Sequence, residues 1–342
     1  MAELKEKVKA NAADEESVHL QDCLELLCQD DLLELIEHGG YEVDEKLPPE
    51  EMAAALAEEI RRKFREFLQC MVLDDYYQLW TMVVANEQPI SQQAMEDWAV
   101  YQNQGFVYYF IYGDEEDETN DELCSVMPVE LQLDFVELEQ QQWIEAAEQR
   151  DMVFNVMAGL ASIYGTYPLS QLQKVWLHIG NEHPIPQDIL AKCCQLAEMG
   201  KANLVIDEEW VYWDELLLDQ PIETLDGYDY YLPSLEEIMA EVEGNYLDLQ
   251  SPEAQAVEAF FQAKYNLSAA HLADVMQNIR YIIKMSADQT ERMEFIESYL
   301  EGHEMAQPNG QAWQELSSLI AALALQIRQW AYCGHYAERG EK

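Results

Sequence analysis

Apolar residues fall three and four apart from Val18 onward: Leu20, Leu24, Leu27, Leu32, Leu35 and Ile36 share one face, the spacing of a helix with one buried side. Gln29-Asp30 interrupts the run and Gly39-Gly40 stops it, so two short helices are predicted. After an extended stretch carrying Tyr41, Val43 and Leu47, Pro48-Pro49 opens a third helix whose face is Met52, Leu56, Ile60, Phe64, Phe67 and Leu68; proline suits a first helical turn. Residues 1–16, rich in alternating Lys and Glu, read as a flexible, solvated lead-in, and 17–67 as a small helical unit.

Further along, Met152–Ile163 reads as a helix, Thr166–Pro168 as a short extended piece and Leu169–Ile179 as a second helix. Pro184 and Pro186 break the chain, Gln187–Met199 forms a third helix ending at Gly200, and Ala202–Ile206 with Glu209–Trp213 alternates as a hairpin. Helix, strand, helix, helix, hairpin is the order of a winged-helix domain. The same order is met once before. NEQPISQQAM, from Asn86 to Met95, recurs as NEHPIPQDIL from Asn181 to Leu190, with five of ten positions identical. The same offset carries Gly105 onto Gly200 and Phe110-Ile111 onto Val205-Ile206 without a gap, so two copies of one small domain are expected. The first copy differs by an insertion, Asp114–Glu122, in which seven of nine residues are acidic; it is expected to open the hairpin into a mobile, solvated wing.

The predicted fold class is thus mainly α with small β-hairpins. Residues 68–150 form winged-helix-like repeat 1, 151–220 repeat 2, 221–233 a tyrosine-rich linker and 234–342 a helical C-terminal domain. Helices are expected near Pro252–Tyr265, Ser268–Met285, Asp288–Leu300 and Gln311–Cys333, the last with a face running from Trp313 through Leu316, Ile320, Leu323 and Ile327 to Trp330.

Charge changes what a tandem winged helix implies. The 342 residues hold 67 Asp and Glu against 19 Lys and Arg, a net charge of -48, about that of 24 base pairs of DNA. No Lys or Arg occurs from Glu66 to Gln149 or from Ala202 to Ala263. In a DNA-binding winged helix the third helix enters the major groove while the wing touches phosphate. Here the third helix of the first copy, Gln92–Gln102, has no cation, and that of the second has only Lys192. Phosphate contacts supply much of the affinity of such domains, so direct DNA binding by the repeats is not expected.

The basic cluster is Arg61, Arg62, Lys63 and Arg65, flanked by Glu58, Glu59 and Glu66. It offers a contact for an anion or an acidic partner, or else a helix end whose cations complement the dipole and pair with adjacent carboxylates. The acidic wing, Asp114, Glu115, Glu116, Asp117, Glu118, Asp121 and Glu122, is a candidate interaction surface; it lacks the glycine and oxygen spacing of a calcium loop. Seven cysteines without a CxxC pair suggest reduced thiols. His178 and His183 have no ligand-spaced partner, nor does Cys333-Gly334-His335, so no zinc is expected. P-loop, dinucleotide, nucleophile-elbow and HExxH signatures are absent. The expectation is therefore no enzyme, no cofactor and no metal. Tryptophans 98, 176, 210 and 213 are expected mostly in domain cores. With no signal-like N-terminus and no stretch approaching 18 uncharged apolar residues, a cytoplasmic location without a membrane association is expected.

Three stretches also carry a family resemblance: LELLCQDDLLELIEHGGYEVDEKLPPEEMAAALAEEI at Leu24–Ile60, LASIYGTYPLSQLQKVW at Leu160–Trp176, and the ending Arg328-x-Trp330-x-x-x-Gly334-His335. Together they resemble bacterial, mainly Firmicute, proteins that join a Rho-N-terminal-like or SAP-like helical unit to winged-helix-like repeats and an SEC-C-associated helical region. The resemblance implies an intracellular protein of regulatory or accessory character and supplies no active site. The cysteine-rich zinc knuckle of SEC-C modules is not found here, and the lysines and arginines of nucleic-acid-binding Rho-N units are matched only by the stretch from Arg61 to Arg65.

The function expected from these features is a non-enzymatic protein-interaction scaffold with a protein partner. Two alternatives are an acidic DNA mimic that occupies the site of a nucleic-acid-binding protein, and a nucleic-acid accessory factor acting through Arg61, Arg62, Lys63 and Arg65. In an electrophoretic shift assay at low salt, a duplex of about 24 base pairs should be left unshifted at protein concentrations up to about 10 μM; a salt-sensitive shift would return the repeats to nucleic-acid binding.

Overall fold

A computed structural model describes residues 2–12, 17–86, 88–114, 117–137, 140–199, 204–207, 209–214, 228–303 and 305–337. The protein is mainly helical with a few small antiparallel sheets. It divides into two compact units: Met1–Met152 with Gln187–Lys201, and Val153–Pro186 with Ala202–Lys342.

In the first unit the chain begins with α1 (Ala2–Asn11), α2 (Leu20–Glu25), α3 (Gln29–Gly39) and α4 (Pro49–Cys70). The expected lead-in is therefore mostly helix, because Leu4 and Val8 lie on one side of α1 and are buried; they pack it against α8 (Val129–Val136). α3 stops at Gly39-Gly40 as predicted, with Gly40 left-handed. α4 carries Met52, Leu56, Ile60 and Phe64 fully buried. Phe64 meets the Phe106 ring edge-on, with centroids 4.9 Å apart. Gly105, one of the repeat glycines, has φ +67, and a Cβ there would come within 2.8 Å of Ile60. A side chain at this point would thus both strain the backbone and crowd the end of the Ile60 side chain.

The first repeat runs through α5 (Leu73–Val84), α6 (Gln92–Asp97), α7 (Ala99–Asn103), β1 (Tyr108–Asp114) and β2 (Asp117–Val126), with an isolated bridge from Pro89 to Cys124 of β2. Two features differ from expectation. The helix expected over Gln92–Gln102 is broken at Trp98, whose indole is buried and donates to the Gln78 Oε1 at 2.9 Å. The acidic insertion lengthens the hairpin instead of opening it: Tyr112 faces Glu122, and after a bulge Asp114 faces Asp117. Strand propensity in Tyr108–Tyr112 and in Leu123–Val126 extends the ladder into the acidic residues.

From α9 (Gln140–Tyr164) the chain continues through β3 (Thr166–Pro168), α10 (Leu169–His178), α11 (Gln187–Glu198), β4 (Val205–Asp207) and β5 (Trp210–Tyr212). The sheet is antiparallel in the order β3-β5-β4, with Tyr167 opposite Val211 and Ile206 opposite the same residue. α11 packs with α4, and its Cys193 thiol lies 3.6 Å from the Arg150 carbonyl. These contacts, rather than sequence order, place α11 in the first unit.

The remainder of the second unit is helical: α12 (Leu235–Val242), α13 (Pro252–Tyr265), α14 (Ala269–Met285), α15 (Gln289–Gly302) and α16 (Gly310–Ala324). Val257, Phe261, Ile279, Ile283, Ile296, Leu316, Ile320 and Leu323 form its core. α12 was not foreseen; it starts at a capping box made by Ser234 and Glu237. The expected final helix ends early, at Ala324, and the chain turns through a hairpin of β6 (Arg328–Gln329) and β7 (His335–Tyr336). Ile327 and Trp330 are buried as the apolar pattern required, but from non-helical backbone. Trp330 lies against Gly165, where a Cβ would come within 2.5 Å of the ring, and its Nε1 donates to the Ser162 carbonyl at 2.9 Å. That seat, together with Cys333 and Gly334 at positive φ, is what the helix gives way to. No described helix is long and apolar enough to cross a membrane.

Trp330→Ala should cost the second unit about 3–5 kcal/mol, read from urea unfolding. A loss below about 1 kcal/mol would mean the seat on Gly165 is not a packing anchor.

Candidate functional site

The basic stretch of α4 is built into the fold. Arg61 and Arg65 both grip Asp134 of α8: Arg61 through Nε and Nη2 at 2.9 and 3.2 Å, and Arg65 through the same two nitrogens at 3.0 and 3.0 Å. Burial would raise the Asp134 pKa, but hydrogen bonds from Arg61 and Arg65 outweigh it and hold the carboxyl below its ordinary range. Arg62 is shared by Glu59 and Glu66, one turn before and after it. Lys63 donates to the Gly39 carbonyl at the end of α3 and lies over the Tyr41 ring. The run does not sit at the helix end, since the last turn of α4 has no basic residue. Carboxylates partner its three arginines, and Lys63 takes the carbonyl at the end of α3.

Of the acidic wing, Glu115 and Glu116 lie outside the described residues, while Asp114, Asp117, Glu118, Asp121 and Glu122 belong to the strands of the β1–β2 hairpin. Ile111, beside them on β1, is 70% exposed. Among the tryptophans, Trp98 and Trp176 are buried, Trp213 is half-buried and Trp210 is exposed. The seven cysteines are free, and burial pushes the thiols of Cys23, Cys70 and Cys193 up to about 12, which leaves them poor nucleophiles. Among the described residues no group of three or more His, Cys, Asp or Glu could hold a metal ion. His183 offers its carbonyl to the Trp176 indole, and His335 bonds the Asp229 carbonyl, so both serve local folding.

The second unit holds a charge cluster that the sequence did not reveal. Arg280 and Lys284 lie one turn apart on the buried side of α14. Arg280 Nε reaches both oxygens of Asp248, at 2.8 and 2.9 Å, and Nη2 pairs with Glu241 of α12. Lys284 Nζ donates to Glu241 Oε2 at 3.0 Å and to the Ser162 carbonyl at 2.8 Å, and the Ser162 hydroxyl also bonds Glu241. Tyr246 covers the Arg280 guanidinium at 4.1 Å. Burial would raise the Glu241 pKa, yet Lys284, Arg280 and the Ser162 hydrogen bond outweigh it and bring it to about 2. For Lys284, burial lowers the pKa to about 8, with Arg280 adding to that effect and Glu241 opposing it. A cavity of about 210 Å³ beside the cluster is lined by Trp213, Tyr246, Tyr281 and Trp330 among others. Two cations and two carboxylates balance here, so the arrangement locks α9, α12 and α14 together. Nothing local in the sequence marks it, because its members are spread from Ser162 to Lys284.

No family model, no curated protein and no solved structure matches this chain.

Glu241→Gln should destabilise the second unit by about 3–5 kcal/mol at neutral pH, since it strands buried Arg280 and Lys284. The sign of the pH effect follows from the depressed pKa: the Glu241 contribution is present above its ordinary value of 4.5 and is lost as pH falls toward about 2. Stability curves of wild type and variant should therefore converge in acid. A constant gap across that window would show that the lost stability is not that of an ionised Glu241.

Proposed function

We propose that this chain is a non-enzymatic, acidic interaction scaffold, acting in the cytoplasm, whose two winged-helix-like units present hairpins to protein partners instead of nucleic acid. The observation that carries this reading is the commitment of all four cations of the basic run to internal partners, alongside exposed apolar residues on both hairpins, Ile111 and Trp210. A phosphate-binding surface needs free cations; a protein-binding one needs accessible apolar and aromatic side chains. The element order supports the winged-helix likeness of both units. In the second repeat, the chain order is helix, strand, two helices and a hairpin whose inner strand is β5, although α11 packs in the first compact unit. In the first, the Pro89 bridge takes the place of the lone strand, beside β2. The likeness to Rho-N-terminal-like and SEC-C-associated proteins agrees with an accessory role.

Purification of the tagged chain from its native host at two salt concentrations, with mass spectrometry of what co-elutes, tests this. A protein partner retained at about 0.3 M salt is the expected outcome, because contacts through apolar side chains are little screened. Retention of nucleic acid, or of nothing at either salt, would overturn the scaffold; capture of a nucleic-acid-binding protein that gives up its nucleic acid to the chain would favour the acidic mimic.

A further inference from the structure

In the first unit, β1 pairs with β2 along one edge only, and among the described residues its other edge has no strand partner. Beside that strand lies a groove of about 220 Å³ lined also by Leu27, by Asp31, Glu34, Leu35 and His38 of α3, and by Gln102 and Asn103. Val107, Tyr108, Tyr109 and Phe110 all line it. Tyr108, Tyr109 and Phe110 are consecutive in β1, and consecutive strand residues border one groove when a strand presents its edge; a strand face would contribute every second residue. An edge of this kind carries main-chain N–H and C=O groups that a further strand can satisfy.

We propose that this groove is a strand-addition site, and that its occupant is an extended, lysine- or arginine-bearing segment of a protein partner. The proposal rests on the scaffold reading and names the place where a partner docks. Two observations choose the occupant. The groove offers an open strand edge for main-chain pairing, which gives affinity without a particular side chain. Its charged lining is acidic, with Asp31 and Glu34 exposed on α3 and His38 lying 3.9 Å from Glu34, and the hairpin that continues β1 is the most acidic stretch of the chain. A strand with alternating cationic side chains can pair with β1 while its charges meet α3 on one side. A second copy of this chain brings the same acidic hairpin to the same edge and is repelled.

The test uses the full chain and three labelled peptides of about eight residues, read by fluorescence anisotropy at low salt: one alternating lysine and valine, one alternating glutamate and valine, and the lysine peptide with every main-chain amide N-methylated. The lysine peptide should bind saturably, and N-methylation should weaken it about tenfold or more by removing its strand hydrogen bonds while keeping its charge. Glu34→Lys with Asn103→Lys should cost a similar factor, about tenfold. Glu258→Lys with Glu294→Lys, on exposed positions of α13 and α15, changes net charge at least as much and should leave binding unaltered. Equal binding of the methylated peptide, equal loss in the two double variants, preference for the glutamate peptide, or no saturable binding would each overturn the proposal. If the Glu34→Lys and Asn103→Lys chain still retains the partner that wild type retains from the host, the groove is wrong and the scaffold stands. If wild type retains none, the scaffold itself has failed.

Discussion

With 67 acidic and 19 basic side chains, self-repulsion opposes every compact arrangement of this chain, and where the few cations go decides what can pack. They go inward. Arg61 and Arg65 close on Asp134 and clip α4 to α8; Arg280 and Lys284 neutralise Glu241 and Asp248 between α12 and α14; Arg328 pairs with Glu237. Arg292, buried, is spent on the carbonyls of Ser286 and Ala287 and the Gln329 amide, and Arg150 donates to the Met71 carbonyl. A buried carboxylate without such a partner would have to take up a proton to remain inside. Because the cations are used as fasteners, the solvent-facing surface is left acidic without the fold being lost.

On the scaffold reading proposed above, this division of labour reconciles a winged-helix-like element order with an acidic surface. A winged helix reads phosphate with cations on its third helix and wing. Here the third helix of the first repeat is broken at Trp98 to bury an indole, and the wing is drawn out into a longer acidic hairpin. On the proposed reading, the elements that face DNA in such a domain serve packing and repulsion here, and Arg61–Arg65 is paired within the fold.

Local pattern carried much of the fold. Period and punctuation located α3, α4, β3, α11 and α13–α15 to within a few residues, since each has an apolar face bounded by a proline, a glycine or a capping side chain. The failures have a common cause. The residues Ile327 and Trp330 continue a helical period, but the Trp330 ring is claimed by Gly165, which lies 165 positions earlier in the chain, and the tertiary seat overrides the local spacing. Leu4 and Val8 are too sparse a signal to separate a packed helix from a solvated tail until α8 is there to cover them. The candidate sites were less legible than the fold. Arg61–Arg65 is visible as a run, yet Asp134, which decides its meaning, is some seventy residues away. The cluster around Glu241 is drawn from α9, α12, α14 and the turn at Asp248, each contributing one or two residues with no spacing to recognise.

The β1–β2 hairpin brings these strands of argument to one place. Tyr108 to Tyr112 is an uninterrupted run of aromatic and branched residues, and such a run on an open sheet edge invites pairing with a copy of itself. Proteins discourage this with charge near the edge, and here Asp114, Asp117, Glu118, Asp121 and Glu122 belong to the same hairpin. Edge-to-edge association of two copies would bring two such hairpins together in a molecule already carrying a net charge of -48, whereas a cationic strand meets attraction at the same edge. The insertion thus acts by sign: it closes the edge to its own kind and leaves it open to a basic partner. That selectivity requires no base-reading helix and no free arginine, and on the scaffold reading proposed above it is the hairpin edge, not a cationic surface, that meets a partner.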